Sequence, residues 1–139
     1  MNKELLKSVL KDQKNDVQNY QIMVRPIYQT NDDMNYAFVG VRRVGKSYVL
    51  YQHIRSLIEQ HVPWNEILYL DFEDNRFDTF HSEDFNKLLE CHIEMYGQEP
   101  RYIFLDEVQN IPSWEKFVRR LADTKHRVYI TGSNAKMLS

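Results

Sequence analysis

The sequence predicts an α/β fold, in which helices cover both faces of a mostly parallel β-sheet and form a three-layer sandwich. Two observations predict this class. Short runs of consecutive apolar residues, such as those at 67–70 and 102–105, are typical of strands that are buried on both faces. Amphipathic helical patterns follow these runs, as the crossovers between parallel strands require.

The composition excludes several classes of protein. The 139 residues suffice for one compact domain, and the formal net charge of -2 gives no overall attraction to nucleic acid. Cys91 is the single cysteine, so no disulfide can form within the chain. No apolar run approaches the roughly 20 residues of a membrane span, and the N-terminus lacks the apolar core of a signal peptide. We therefore expect a cytoplasmic protein without a membrane partner.

The chain is predicted to begin with a helix and a lead-in segment at 1–34, followed by a core domain at 35–139. Residues 3–15 have an amphipathic pattern, and Asn2 can cap its N-terminus. This pattern is compatible with a surface helix packed on the domain and with an arm that binds a partner or nucleic acid. Its apolar side consists of Leu5, Leu6, Val9 and Leu10.

The stretch at 40–47 fits the phosphate-binding P-loop pattern G-x-x-x-x-G-K-[ST]. Gly40 and Gly45 permit the backbone dihedral angles that turn successive N–H groups toward a phosphate. Lys46 can reach the β- and γ-phosphates of a nucleotide, and the Ser47 hydroxyl can bind Mg²⁺. An apolar run precedes the loop and a helical apolar stripe follows it, as the motif requires. The expected nucleotide-binding residues are Gly40, Val41, Arg42, Arg43, Val44, Gly45, Lys46, Ser47 and Tyr48.

Acidic residues follow the predicted strand at 67–70. A calcium-binding EF-hand is excluded here, because Arg76 stands where that loop needs a glycine. The segment is compatible with a solvated loop, but the carboxyl end of a strand is also where open α/β sheets bind ligands. A secondary role near a nucleotide therefore stays open for Asp71, Glu73, Asp74 and Asp78.

The next helix is predicted to begin at Ser82 as its N-cap and to end before Gly97 and Pro100. Its apolar side includes His92, which the pattern assigns to packing rather than to metal binding. A further helix opens with Pro112. Two consecutive arginines in that helix are compatible with a solvated face and with contact to nucleic acid or a neighbouring subunit.

The second chemical motif is an apolar run at 102–105 that leads into Asp106 and Glu107, which is the form of a Walker B strand. Asp106 at the tip of this strand is expected to hold Mg²⁺ through its water shell and so to complete the site that begins with Ser47. Glu107 is expected to polarise a water molecule as a general base. Such a base favours hydrolysis of ATP over transfer of a phosphoryl group to another substrate.

A fourth strand is predicted at 127–130, and polar residues follow it at 131–134. A polar side chain at the tip of a strand between the two motif strands can bind the γ-phosphate or the attacking water, a role called sensor 1. A strand-to-helix turn with a polar cap predicts the same residue types, so both interpretations stay open.

Four stretches together resemble one family of AAA+-like ATPases of bacteria and archaea, most of which are uncharacterised. The stretches are G-x-R-R-x-G-K-S at 40–47, Leu-Asp-Phe-Glu-Asp at 70–74, the sequence FLDEVQNIPSWEKF at 104–117, and Thr-Gly-Ser-Asn at 131–134. The resemblance covers residues 20–139, and the joined set is far more specific than any one motif.

The resemblance implies a sheet of the AAA+/ASCE type with strand order 5-1-4-3-2, the P-loop on strand 1 and Walker B on strand 3. Proteins of this family are much longer and often carry a C-terminal domain that resembles nucleases. We therefore expect a fragment that lacks strand 5, the lid, sensor 2 and the arginine finger, with weak turnover. The roles implied by position are ATPase roles for Lys46, Ser47, Asp106 and Glu107, sensor 1 for Asn134 or Ser133, and added positive charge near the phosphates for Arg42 and Arg43.

The expected function is Mg-dependent binding and hydrolysis of ATP, coupled to a conformational change, with ATP and Mg²⁺ as cofactors. Two alternatives stay open. One is a nucleotide-gated binding module with little turnover, and the other is a DNA-associated motor or nuclease-linked ATPase. A homo-oligomer of the full-length protein is compatible with the resemblance, whereas the charge of the chain gives no support to DNA as a partner.

Overall fold

The computed structural model describes residues 1–20, 35–40 and 44–133. These residues form a four-stranded parallel sheet with strand order β1-β4-β3-β2. The strands are β1 (Tyr36–Gly40), β2 (Ile67–Asp71), β3 (Tyr102–Asp106) and β4 (Arg127–Ser133). The helices are α1 (Lys3–Asn19), α2 (Val44–Glu59), α3 (Phe85–Tyr96) and α4 (Trp114–Ala122).

The predicted α/β class is confirmed, and the observed order is the 1-4-3-2 part of the predicted order. β4 lies between the strand that leads into the P-loop and the strand that carries Asp106. Among the described residues, β1 pairs with β4 alone and is an outer strand of the sheet.

Helices cover both faces of the sheet because the strand side chains alternate in direction. One apolar cluster joins strand residues such as Leu70 and Leu105 to α1, α3 and α4. The other cluster joins Tyr69, Phe104 and Tyr129 to α2. The rings of Phe104 and Tyr129 stack with centroids 4.5 Å apart. This second face is the one on which the candidate site lies.

Helix α1 begins as predicted and runs four residues further than the pattern indicated. Asn2 Oδ1 accepts a hydrogen bond from the Leu5 N–H at 2.8 Å, which satisfies one of the free donors of the first turn. The buried side includes Gln13, whose amide binds both the N–H and the C=O of Asp71 at 2.8 and 3.1 Å. Of the two alternatives, α1 is thus the helix packed on the domain.

Further boundaries differ from the prediction, and one of them is the start of α4, which begins at Trp114 rather than with Pro112. α3 begins at Phe85, after a short 3-10 turn at Ser82–Asp84, and the Asp84 carboxylate accepts from the His81 N–H at 2.9 Å. Ser82 is therefore not the residue that caps this segment. β4 extends to Ser133, because its backbone stays paired with β1 to the end of that strand.

Part of the acidic segment after β2 is held by Arg76, whereas Glu73 and Asp78 are exposed. Arg76 donates to both carboxylate oxygens of Asp74 at 3.0 and 2.8 Å, and it also binds Asp12 at 2.7 Å. These bonds to Arg76 lower the pKa of Asp74 to about 2. Gly97, at φ 78°, ends α3 in the left-handed conformation that favours glycine, as predicted.

Candidate functional site

The candidate site lies at the carboxyl end of β3, where the first turn of α2 and the end of β4 meet it. Asp106 is the last residue of β3 and is fully buried. It shares the α2 face with Phe104, because residues two apart in a strand point the same way. A buried carboxylate needs hydrogen-bond donors, and the neighbouring elements supply three of them.

Ser47 joins the P-loop helix to this carboxylate. Its Oγ donates to Asp106 Oδ2 at 2.6 Å. Ser47 lies in the first turn of α2, which begins at Val44, so the bond links the start of the helix to the tip of β3. The structure thus brings together the two residues that sequence reasoning assigned to Mg²⁺.

Thr131 is a site residue that sequence reasoning did not select. Its hydroxyl, which is fully buried, donates to Asp106 Oδ1 at 2.5 Å and accepts from the Glu107 N–H at 2.9 Å. Because β4 continues to Ser133, Thr131 lies within the strand and on the face of Tyr129. No local sequence pattern selects it, because its meeting with Asp106 depends on the register of β4 against β3.

Glu107 follows Asp106 in a left-handed conformation, with φ 54° and ψ 45°. Its side chain is buried, and Oε2 accepts from Gln109 Nε2 at 2.6 Å. Gln109 Nε2 also lies 3.4 Å from Asn110 Oδ1, which supports this orientation of the amide. Gln109 Oε1 is buried and has no hydrogen-bond partner within the part of the chain that the structure describes.

Two tyrosines extend the network away from Asp106. The Tyr69 hydroxyl lies 2.9 Å from Asp106 Oδ2 and 3.3 Å from the Tyr51 hydroxyl. Burial, and secondarily the charge of Asp106, raises the pKa of Tyr69 well above its usual value. Burial also raises the pKa of Tyr51. Both hydroxyl groups therefore keep their protons and can donate. Sequence reasoning treated Tyr69 only as part of an apolar run.

Several predicted residues cannot be placed by their side chains. Gly40 ends β1, and Val44, Gly45 and Lys46 form the start of α2 as far as the backbone is described. The ring of Tyr48 is buried and meets that of Tyr20 edge-on, with centroids 6.2 Å apart. The predicted residues that lie outside the described ones are Val41, Arg42, Arg43 and Asn134, and the side chain of Ser133 is also outside them.

The donor set suits a hard divalent cation. The described residues contain no group of three or more His, Cys, Asp or Glu side chains placed to hold a metal ion. They do contain a hydroxyl oxygen and a carboxylate oxygen that lie close together: Ser47 Oγ and Asp106 Oδ2 are 2.6 Å apart. Mg²⁺ prefers such oxygen ligands, and it is commonly held by one or two protein groups while substrate phosphates and water complete its shell. These residues therefore fit Mg²⁺ bound with a nucleotide.

The parallel sheet, the strand order and the contact between the P-loop helix and the β3 carboxylate define an α/β domain of the P-loop NTPase type. The chain belongs to the AAA domain family, whose family model matches residues 32–139. This membership indicates a nucleotide-binding function of the ATPase type. Within the described residues, no helix combines the length and apolar composition that a membrane crossing needs.

Two relatives are uncharacterized proteins of a bacterium and an archaeon. The protein from Methanocaldococcus jannaschii is 38% identical over 100 residues, which are 72% of this chain and 21% of that protein. The protein from Haemophilus influenzae is 37% identical over 102 residues, which are 72% of this chain and 25% of that protein. The chain thus spans about a quarter or less of the length of these relatives.

Proposed function

We propose that this domain binds Mg·ATP and hydrolyses it, and that hydrolysis drives a conformational change in the protein. The observation that carries the proposal is the 2.6 Å bond between Ser47 Oγ and Asp106 Oδ2. It joins the last residue of a phosphate-binding sequence motif to a buried carboxylate at the end of a parallel strand. Open α/β sheets bind their ligands at this end of the strands.

In this proposal, Lys46 and the N–H groups of residues 40–47 bind the phosphates, and Arg42 and Arg43 add positive charge near them. Ser47 and Asp106 hold Mg²⁺, which when bound neutralises charge that develops on the phosphate oxygens. These assignments are supported by the motif and by the donor set at the tip of β3.

Glu107 is proposed as the group that accepts a proton from the attacking water. Its backbone N–H is held by Thr131, and its side chain leaves the strand tip one residue after Asp106. Asn134, or Ser133, is proposed to contact the γ-phosphate or the water. Thr131, in the same part of β4, binds both the Asp106 carboxylate and the Glu107 N–H.

Calorimetric titration of the chain with Mg·ATP tests nucleotide binding. Saturable binding is expected for the natural sequence and should be lost in Lys46→Ala, because the lysine charge that faces the phosphates is removed. Lys125→Ala is the matched control, since Lys125 is exposed, and it should bind as the natural chain does. A folded natural chain that binds no nucleotide, or equal binding by all three, would refute the proposal.

Hydrolysis is tested separately with Glu107→Gln. Loss of a general base typically costs about 10²–10⁴-fold in rate, so turnover should fall at least that far while the Kd for Mg·ATP changes little. Asp123→Asn, which alters an exposed carboxylate after α4, serves as the control and should keep the natural rate. Unchanged turnover in Glu107→Gln would remove the assigned role of Glu107 and leave the binding result intact.

One observation favours a second candidate function, a nucleotide-gated binding module with little turnover. Gln109 Nε2 donates a hydrogen bond to Glu107 Oε2 at 2.6 Å, and both side chains are buried. A glutamate held in this way is not free to meet water until the contact breaks. Single-turnover measurements distinguish the two functions, because a gated module would bind Mg·ATP tightly and still hydrolyse less than one equivalent over many minutes.

A further inference from the structure

Tyr69 brings a hydroxyl to the tip of β3 from within the neighbouring strand. In the register of the sheet, Tyr69 lies opposite Phe104, two residues before Asp106. Diagonal neighbours of this kind are within reach of an aromatic side chain, and the Tyr69 hydroxyl lies 2.9 Å from Asp106 Oδ2. The contact therefore needs a tyrosine, rather than any apolar residue, at this position of β2.

The two flanking strands fix the Asp106 carboxylate from both sides. Tyr69 of β2 binds Oδ2, and Thr131 of β4 binds Oδ1. Rotation of the carboxylate would break both bonds within a fully buried site, where lost hydrogen bonds are costly. The orientation that these bonds maintain is the one in which Oδ2 faces Ser47 Oγ.

A second hydroxyl supports the first. The Tyr51 and Tyr69 hydroxyl oxygens lie 3.3 Å apart. Each tyrosine hydroxyl has one proton, and a carboxylate at 2.9 Å is the stronger acceptor for that of Tyr69. Tyr51 is then the donor to the Tyr69 oxygen, and such a chain strengthens the bond at its end. The network thus runs from α2, through the interior of β2, to Asp106.

We propose that Tyr69 is a positioning residue for the divalent cation: by fixing Asp106 Oδ2 beside Ser47 Oγ, it sets how tightly the nucleotide-bound site holds Mg²⁺. The inference rests on the proposed function and names a residue that the two sequence motifs do not contain. Tyr69 contacts neither cation nor nucleotide in this scheme and acts only through Asp106. Loss of a hydrogen-bond partner of a metal ligand typically costs about 10–100-fold in metal affinity.

The test compares Tyr69→Phe with Tyr102→Phe, which removes a hydroxyl from another buried tyrosine of the same apolar cluster. ATP binding is measured by calorimetry in EDTA and then across a series of Mg²⁺ concentrations. The Mg²⁺ concentration for half-maximal enhancement should rise at least about 10-fold in Tyr69→Phe and stay unchanged in Tyr102→Phe. Binding of ATP in EDTA should be the same in all three proteins. A general loss of packing would weaken that binding as well.

Each outcome decides between the proposals. A natural chain that binds no ATP overturns the proposed function and this inference with it. A natural chain that binds Mg·ATP, together with a folded Tyr69→Phe of unchanged Mg²⁺ dependence, overturns the inference alone. Equal shifts in both tyrosine variants would also overturn it. If thermal melting shows Tyr69→Phe to be unfolded, Tyr51→Phe replaces it, and a smaller shift in the same direction is required.

Discussion

Replacement of Thr131 by valine tests whether hydrogen bonding, rather than apolar burial, fixes the tip of β3. Valine has the shape of threonine but leaves the Glu107 N–H without its partner and removes a donor from Asp106 Oδ1. A buried donor left unpaired costs about 1–3 kcal/mol, and a lost bond to a charged group about 1.5–3 kcal/mol. The added methyl returns about 1 kcal/mol. We therefore expect Thr131→Val to lower the free energy of unfolding by about 2–5 kcal/mol.

Urea unfolding measures this free energy, with the slope of the transition compared among variants to show that the same surface is exposed. Thr131→Ser is the control, because it keeps the hydroxyl and loses one methyl group. Loss of a buried methyl costs about 0.5–1.5 kcal/mol, so serine should be the milder change.

The two physical effects predict opposite orders for these variants. If apolar burial dominated at this fully buried position, valine would be at least as stable as threonine, and serine would be the less stable replacement. A Thr131→Val protein as stable as the natural chain, or more stable than Thr131→Ser, would refute the hydrogen-bonding account of the site.

Two further predictions concern the end of β2. Gln13→Leu removes the amide that binds the N–H and C=O of Asp71. Urea unfolding should show a free energy of unfolding lower by about 1–3 kcal/mol. The control Gln18→Leu, at an exposed glutamine of α1, should not lower it. Since Arg76 holds the pKa of Asp74 at about 2, below its usual value, this carboxylate stabilises the fold at neutral pH, and that contribution is lost as the pH falls from about 4 to 2. Asp74→Asn should flatten the pH dependence of stability in this window, and Asp78→Asn, at an exposed position, should leave it as it is.

The parts of the fold that the sequence predicts are those that depend on neighbours along the chain. Four consecutive apolar residues ending in an acid predicted β3 and placed Asp106 at its tip, because a strand buried on both faces needs such a run. The P-loop pattern predicted the junction between β1 and α2, because this motif lies between a strand and a helix. The meeting of Ser47 with Asp106 followed from these two local patterns and the parallel order of the strands.

The contacts that sequence reasoning missed cross between strands. Tyr69 meets Asp106 along a diagonal of the sheet, and nothing in the run 67–70 distinguishes a tyrosine that packs from one that donates a hydrogen bond. Thr131 was missed because the strand was predicted to end at residue 130, which placed the threonine in a turn. Both contacts require the register of the sheet, which is set by the packing of all its strands.

Glu107 shows how these cross-strand contacts bear on function. Its left-handed backbone, unfavourable for a residue with a side chain, costs of order 1–3 kcal/mol and persists only where surrounding contacts fix it. Thr131 binds the N–H of this residue and Gln109 binds its carboxylate, so contacts on two sides stabilise the left-handed conformation. Loss of the Gln109 contact would leave the backbone of Glu107 held, since the Thr131 hydroxyl that accepts from its N–H also binds Asp106. The geometry therefore ties the backbone of Glu107 to the same hydroxyl that fixes Asp106, and under the proposed function the Glu107 side chain has to leave Gln109 before it meets water.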